Sequence, residues 1–304
     1  MRTTLPGALV AAAALAGPAV ALGQDAVSAD LWRVAEGTLV VPAALAEDGS
    51  AALWTPASVL GPGAPGMRVG IEAIHSPADV GLSGGVATMG LRLGGLGTLN
   101  AVYGRLGVDG LVRTETSPQS MGDIPVYAEV VSLGLARRVT PALVVGLAVR
   151  SLNGQLDVVS HSQIGVDAGV RYTTRSRFTF AAATRFFDPS LPRSQTGTTY
   201  NLAASYESRP VPMWGATGTI AVRYGATFSA GEGVQHLLSA GLGLNHVMQL
   251  DVGTSRETTA GTSVWRSRFG LALTAGRYRV YLGRDGGVNG FGASYRFGLA
   301  AGLR

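Results

Sequence analysis

A two-residue alternation of side chains is the sequence feature that most constrains this chain. In residues 264–273, one face carries Trp265 and Phe269, and the opposite face carries Arg266 and Arg268. Because successive side chains of a β-strand point to opposite faces, the pattern predicts a strand with one apolar and one polar, basic face. Soluble sheets and membrane-spanning barrels share this pattern. The number and length of the strands and the sequence before them distinguish the two.

The first 23 residues read as a secretory signal peptide. Met1 and Arg2 form a short basic start, residues 5–22 are apolar and rich in alanine, and Ala21-Leu22-Gly23 is a small-x-small cleavage site. An uncleaved anchor is the alternative, but the run is short and weakly apolar for a membrane helix. Since no later stretch has 18 uninterrupted apolar residues, the exported chain can span a membrane only as a closed barrel.

Fourteen strand-like segments follow an N-terminal stretch of residues 24–66. They cover residues 67–74, 86–93, 98–106, 126–137, 143–152, 164–172, 178–186, 200–206, 220–228, 236–244, 250–255, 264–273, 278–283 and 291–299. Most have the length, about nine to eleven residues or slightly fewer, that a tilted strand needs to cross a bilayer. We therefore predict an all-β fold, with a transmembrane antiparallel up-and-down barrel in residues 67–304.

The connections between these segments alternate in length, as periplasmic turns and outer loops do. The short set is 94–97, 138–141, 173–176 and 274–276, and the longer, polar set is 108–125, 153–163, 187–197, 256–262 and 284–290. Residues 207–218, with Pro210 and Pro212, form a long connection where a short one is expected. The count is therefore about 14 strands, within a range of 12–16.

Charged side chains fall on the face opposite the apolar one, and we expect them in the lumen. An Arg at the lipid midplane costs about 2–4 kcal/mol. The predicted lumen residues are Arg171, Arg223, Arg266, Arg268, Arg279, Arg296, Asp167 and Asp251. Two interpretations are open at this point, a solvated or mutually paired lumen and a dedicated anion site.

Aromatic residues near the predicted strand ends are expected to form girdles at the membrane interfaces. They are Tyr127, Tyr172, Phe186, Tyr206, Phe228 and Trp265. In the last segment, residues 292–297 have a Gly-x-x-aromatic-x-aromatic form. This form resembles the signal that the bacterial barrel assembly machinery reads, and it makes that machinery an expected partner.

Several short motifs resemble the fatty-acid-transporter (FadL-like) barrels and their PorV/PorQ relatives. Residues 47–57, Glu-Asp-Gly-Ser-Ala-Ala-Leu-Trp-Thr-Pro-Ala, resemble the stretch that precedes the first strand of that family, with Thr55 in place of the family's Asn. Residues 165–170 and 241–245 are similar to its strand signatures. The resemblance implies an outer-membrane barrel with a plug or hatch in its lumen.

The segment 24–66 has no strand alternation and contains Trp32 and Trp54. Short helical turns are predicted at residues 28–35 and 50–53, each opened by a Ser that can cap free amides. Two interpretations are open for this segment, a plug inside the lumen and a periplasmic tail that closes the floor of the barrel.

Motifs for catalysis, metal binding and nucleic-acid binding are not found in the sequence. It has no Cys, its four His have no metal-ligand spacing, and it lacks a Gly-x-Ser-x-Gly elbow. All 24 basic residues are Arg, but the net charge is only +5 and no basic run indicates nucleic acid. We therefore expect no enzyme and no cofactor or metal.

The sequence predicts a porin-like protein of the bacterial outer membrane that passes or binds small hydrophobic or amphipathic molecules. Its expected partners are outer-membrane lipid and a hydrophobic small-molecule ligand. One alternative is a structural or PorV-like scaffold, whose partners would be secreted proteins and the secretion machinery. Another is a soluble secreted β-sandwich.

Overall fold

The computed structural model describes residues 27–47, 50–60, 65–77, 81–113, 122–187, 197–213, 215–229, 233–259, 262–287 and 292–303. The predicted signal peptide, the middle of the connection 108–125 and most of the connection 187–197 lie outside these residues. Among the described residues, no helix is long and apolar enough to span a membrane.

Two short helices precede the strands. They are α1 (Val27–Glu36) and α2 (Ala51–Trp54), and single 3₁₀ turns lie at Ala43–Leu45 and Gly94–Leu96. The strands are β1 (Met67–His75), β2 (Leu82–Arg92), β3 (Thr98–Val108), β4 (Val126–Arg138), β5 (Leu143–Leu156), β6 (Val159–Thr173), β7 (Phe178–Phe187), β8 (Thr199–Glu207), β9 (Val211–Met213), β10 (Ala216–Ser229), β11 (Gln235–Leu244), β12 (Met248–Thr259), β13 (Thr262–Ala275), β14 (Tyr278–Asp285) and β15 (Ser294–Leu303).

Fourteen of these strands form a closed antiparallel barrel, which confirms the predicted fold. Each strand pairs with its neighbours in chain order, with β8 next to β10, and β15 pairs with β1 to close the sheet. The closing register places Met67 opposite Leu303 and His75 opposite Tyr295. Closure leaves no free strand edge around the barrel, so the backbone groups of the wall are paired within the sheet.

The long connection 207–218 does not add a barrel strand. Its short strand β9 pairs only with the start of β10, where Met213 lies opposite Ala216. The connection is therefore a small hairpin that extends β10 beyond the wall. This accounts for its two prolines, because proline is tolerated at the edge of a sheet.

Two of the predicted long loops are wrong in their extent. Residues 153–163 and 256–262 are mostly strand, because β5 continues to Leu156, β6 begins at Val159, and β12 and β13 meet across residues 259–262. A strand end that extends beyond the hydrocarbon layer needs no apolar face. The two-residue alternation of the sequence is therefore lost there, although the backbone pairing continues.

The exposed fraction of the side chains separates the two faces of the wall. Outward residues such as Trp265, Leu147 and Ile164 are more than 60% exposed, whereas inward Arg268 and Asp167 are buried. The apolar face therefore lies outside and the charged face lies in the lumen, as in a transmembrane barrel. This is the reverse of a soluble β-sandwich.

A β-bulge in β7 moves one predicted girdle residue into the lumen. Arg185 and Phe186 together lie opposite the single residue Asp167, and Phe186 has a positive φ of 58°. Both side chains are therefore buried in the lumen, and the prediction that Phe186 lies in the membrane interface is wrong. An inserted residue shifts the side-chain phase by one position, which a strict two-residue period cannot anticipate.

The described part of the N-terminal segment packs against the inward faces of the strands. Helix α1 contacts β3, β4 and β5, helix α2 contacts β2 and β3, and the turn Ala43–Leu45 contacts β7 and β8. Inward glycines make room for it. A Cβ at Gly104 would lie 2.6 Å from the ring of Trp32, and one at Gly146 would lie 2.0 Å from the carbonyl oxygen of Pro56.

The apolar core consequently lies in the lumen, between this segment and the wall. Its members share complete or nearly complete burial and include Trp32, Leu39, Leu53, Trp54, Val102, Leu106, Val130 and Leu152. The helical turns at 28–35 and 50–53 form close to their predicted bounds. Neither serine caps a helix as predicted, because Ser28 lies inside α1 and the Ser50 side chain makes no capping bond.

Candidate functional site

The most densely bonded part of the lumen surrounds Trp54, which is fully buried. The guanidinium groups of Arg185 and Arg296 lie 5.2 Å and 5.0 Å from the centre of its indole ring. Trp32 meets the same ring edge-on at a centroid distance of 6.5 Å. The indole Nε1 donates to the Ser50 hydroxyl oxygen at 2.9 Å. We call these residues and their ionic partners the Trp54 cluster.

Each buried arginine of the Trp54 cluster has a carboxylate partner. Arg185 pairs with Glu36 and Arg296 pairs with Glu72. The hydroxyl of Ser50 donates to Glu72 at 2.6 Å, which ties α2 to β1. An unpaired charge in a dry interior is very unfavourable. Each of these carboxylates therefore neutralises its arginine in the middle of the lumen.

A third pair stabilises the bulge that brings Arg185 inward. Arg150 on β5 pairs with Asp167 on β6, and Asp167 also accepts a hydrogen bond from the backbone N–H of Phe186 at 2.8 Å. The guanidinium of Arg150 lies 4.7 Å from the ring of Phe186. The bulge is therefore fixed by the same charges that line the lumen.

Arginines of the wall also bind backbone carbonyls of the N-terminal segment. Arg296 donates to the Ala35 carbonyl at 2.8 Å and Arg150 to the Leu53 carbonyl at 3.0 Å. These carbonyls belong to the last turns of α1 and α2, where helix carbonyls favour positive charge. The Ala35 carbonyl also accepts from the backbone N–H of Thr38 at 3.2 Å. Arg268 donates to the Leu39 carbonyl. Strands on opposite sides of the barrel thus hold the segment.

A water-accessible cavity lies on the side of the short turns. It has a volume of about 270 Å³ and we call it the basin. Arg223 pairs with Asp251 at 2.7 Å, and Arg171 pairs with Glu47 of the N-terminal segment at 2.7 Å. Arg279 donates to the amide oxygen of Gln249 at 2.9 Å.

Beside the basin the lumen is almost filled by the N-terminal segment, whose Val41 lines both the basin and a small gap. The gap beside Leu39, Pro42 and Arg268 encloses only about 20 Å³. A cavity needs about 10–15 Å³ to hold one water molecule. In the described residues, therefore, a ligand that entered the basin would meet the N-terminal segment before it could pass through the lumen.

The structure distributes the predicted lumen residues over three levels of the barrel. Arg296 belongs to the Trp54 cluster, and Asp167 pairs with Arg150 beside the bulge. Arg171, Arg223, Arg279 and Asp251 line the basin. Arg266 and Arg268 lie nearer the long connections. Arg266 pairs with Glu257 at 2.7 Å, and Arg268 with Asp285 at 3.2 Å. Trp32 and Trp54 lie inside the barrel; that they obstruct passage stays a prediction.

Among the described residues, sequence reasoning missed five fully or almost fully buried charged residues of the lumen, namely Arg150, Arg185, Glu36, Glu72 and Asp285. Glu72 stands between outward Ile71 and Ala73, and Arg150 follows the outward residues Leu147 and Val149, so the same alternation contains a signal for both. Arg185 lies at the bulge, where the two-residue period of β7 ends. Glu36 lies outside the strands, where no period applies.

A second site, the wall groove, lies on the outward side of β1 to β4 near the long connections. It has a volume of about 800 Å³. Its lining combines apolar and aromatic side chains with a few charges and includes Ile71, Tyr103, Arg105, Val108, Leu111, Ile124 and Tyr127. Arg105 pairs with Glu129 at 2.8 Å and lies 4.4 Å from the centre of the Tyr127 ring. The groove therefore has an apolar body and a polar end.

Two adjacent glycines of β2, Gly84 and Gly85, form the back of the wall groove. Gly84 has a φ of 157°, and a Cβ there would lie 2.1 Å from the carbonyl oxygen of Arg105. Any other residue would push β2 away from β3. The groove thus depends on a stretch of wall that carries no side chains.

No family model matches the sequence, and no curated protein matches it. Solved structures do match. CymD, a monoaromatic hydrocarbon channel, has a TM-score of 0.53 and 10% identity, covering 87% of this chain and 95% of CymD. The toluene transporter TodX of Pseudomonas putida has a TM-score of 0.51 and 12% identity, covering 92% of this chain and 97% of TodX. The fold is that of outer-membrane β-barrels.

These similarities show the fold alone, because the identities are low. Within the part of the chain that the structure describes, no group of three or more His, Cys, Asp or Glu residues could hold a metal ion.

Proposed function

We propose that this protein lies in the bacterial outer membrane and binds and passively passes small hydrophobic or amphipathic molecules. The observation that carries the proposal is the wall groove, whose volume of about 800 Å³ compares with about 270 Å³ for the basin. Pockets of about 300–1,000 Å³ with a mostly apolar lining and a few polar groups are typical small-molecule sites.

The lining of the wall groove suits a molecule with one apolar and one polar end. Ile71 and Tyr103 offer exposed apolar surface. Arg105, held by Glu129, provides a charged group at the end near the long connections. An amphipathic ligand would lay its apolar part along Tyr103 and direct its polar end towards Arg105.

Two resemblances support this proposal. Residues 47–57 resemble the FadL-like transporters, and the similar structures include a toluene transporter and a hydrocarbon channel. Passage from the wall groove to the basin would require the wall to open between β1 and β4 and the N-terminal segment to shift, because the groove lies on the outer face and the segment packs against the inner face.

The proposal is tested by filling the groove. Ala87 is exposed and lines it, whereas Ala240 is exposed on β11, away from it. Binding of toluene and of decanoate to the detergent-purified protein would be measured, with uptake into proteoliposomes. We expect Ala87→Trp to weaken binding of at least one ligand about tenfold, and Ala240→Trp to leave binding unchanged. Equal effects of the two variants would contradict a ligand site in the groove.

The filled lumen favours a second candidate, a PorV-like scaffold that holds exported proteins. A transporter must open a route, whereas a scaffold needs only a rigid barrel. If neither the full chain nor a variant that lacks residues 25–57 takes up ligand, and exported proteins co-purify with the barrel, the scaffold is the better explanation. Uptake by the shortened variant would favour transport.

A further inference from the structure

A sector of the outer wall carries exposed basic and aromatic side chains at the end of the long connections. We call it the basic sector; it consists of His236, Arg256, Trp265, Arg284, Tyr295 and His75 on the consecutive strands β11 to β15 and β1. The strand registers place His236, Arg256 and Trp265 in one row and Arg284, Tyr295 and His75 in another. All six side chains face the membrane side of the wall.

The two arginines of the basic sector have no carboxylate partner among the described residues. Arg256 lies 5.9 Å from the centre of the Trp265 ring and donates to the Ser263 hydroxyl at 3.1 Å. Arg284 makes no hydrogen bond or ion pair within the described part of the chain. The acidic neighbours Glu257 and Asp285 face inward, where they pair with Arg266 and Arg268.

A neighbouring part of the wall shows the contrast. Arg105 on β3 also faces outward near the long connections, but Glu129 on the adjacent strand neutralises it at 2.8 Å. An exposed arginine is therefore paired by the protein in one sector and left available in the other. The positive charge of the basic sector is therefore available to an anionic partner outside the chain.

The position of the sector limits the class of that partner. An outward side chain at the membrane interface meets lipid headgroups, and the long connections of outer-membrane barrels face the cell exterior. The outer leaflet there contains glycolipids with phosphate groups on a sugar backbone. Guanidinium groups bind phosphate with two parallel hydrogen bonds, and Trp265 and Tyr295 offer flat surfaces to sugars.

The spacing of the two arginines allows both to reach one headgroup with two phosphates. Arg256 lies opposite Trp265 and Arg284 lies opposite Phe269, four residues further along β13. With about 3.3 Å per residue and about 4.8 Å between strands, their Cα atoms are about 16 Å apart. Because arginine side chains are long, two guanidinium groups can converge on one headgroup. We propose that the basic sector binds the phosphorylated headgroup of an outer-leaflet glycolipid.

Native mass spectrometry of the full chain in detergent tests the proposal, with bisphosphorylated lipid A, fully dephosphorylated lipid A and phosphatidylglycerol as probes. The test variant is Arg256→Ser/Arg284→Ser. The control is Arg137→Ser/Arg277→Ser, which removes two exposed arginines at the short-turn end. Each basic residue at an anionic lipid surface contributes a factor of about five, so the test variant should bind bisphosphorylated lipid A about 25-fold more weakly.

The control variant should bind bisphosphorylated lipid A as tightly as the parent does. The parent and the test variant should bind dephosphorylated lipid A equally weakly. An equal loss in both variants would mean that net charge alone attracts the lipid. No loss in either would mean that the arginines merely extend into water. Equal affinity for phosphatidylglycerol would overturn the assignment to a glycolipid. Heat-modifiable migration on a gel verifies that each variant is folded.

Discussion

The Trp54 cluster and the basin contain the same chemical groups in different surroundings. In the Trp54 cluster, the side chains of Arg185 and Arg296 are 0% exposed, whereas Arg171 and Arg223 in the basin are 18% and 16% exposed. Water reaches the basin pairs and screens them. The comparison indicates that the dry pairs fix the N-terminal segment, while the wet pairs line a polar compartment.

The energetic difference follows from desolvation. Removing one partner of a buried ion pair leaves a buried charge and costs about 3–5 kcal/mol, whereas exposed pairs contribute about 0–1 kcal/mol. The Trp54 cluster adds hydrogen bonds to the carbonyls of Ala35 and Leu53. We therefore expect the two regions to respond very differently to the same substitution.

The largest expected effect comes from removing the segment itself. Deletion of residues 25–57 with the leader retained takes away α1, α2 and the contacts of Trp32 and Trp54. Single-channel conductance in planar bilayers should rise several-fold, because the middle of the lumen is then filled only by wall side chains. The parent protein is the control. An unchanged, closed barrel would show that the wall alone seals the lumen and would weaken the transport proposal.

A smaller effect should separate the two regions directly. Arg296→Met removes the partner of Glu72 and of the Ala35 carbonyl, and should lower the free energy of unfolding by about 3–5 kcal/mol. Arg171→Met removes the matched charge from the basin, where its partner Glu47 is 75% exposed, and should cost about 1 kcal/mol or less. Urea titration of the folded, heat-modifiable band measures both. Similar losses would mean that the basin is as dry as the Trp54 cluster.

The smallest effect concerns ion preference in the shortened protein. Loss of Glu36 and Glu47 leaves Arg185 and Arg171 without their carboxylates, so the opened lumen should prefer anions. Replacing these two arginines by Ser should lower the anion preference measured from reversal potentials in a salt gradient.

The matched control for this prediction is Arg266→Ser/Arg268→Ser in the same shortened protein. Glu257 and Asp285 still neutralise these arginines, so the control should change the preference less. A larger effect of the control would place the selective charges near the long connections instead.

Particular residues show how far the sequence predicts this structure. The alternation in residues 264–273 correctly assigned Trp265 to the outer face and Arg268 to the inner face, and equivalent patterns yielded all fourteen strands. Phe186 was misplaced because its bulge adds a residue. The hairpin of β5 and β6 extends beyond its predicted end, because polar residues on both faces leave no period to detect.

The sequence by itself determined that this chain forms a barrel with an apolar outside and a charged inside. The two-residue period is a local property of the sequence. Because the apolar face of each strand lies against lipid, the charged residues of the opposite face can lie only in the lumen. Only the tertiary structure decided which charges meet. Glu36 is 149 positions from Arg185, and Glu72 is 224 positions from Arg296. Closure of the barrel and entry of the N-terminal segment bring these pairs together, because contacts of such separation depend on the whole fold.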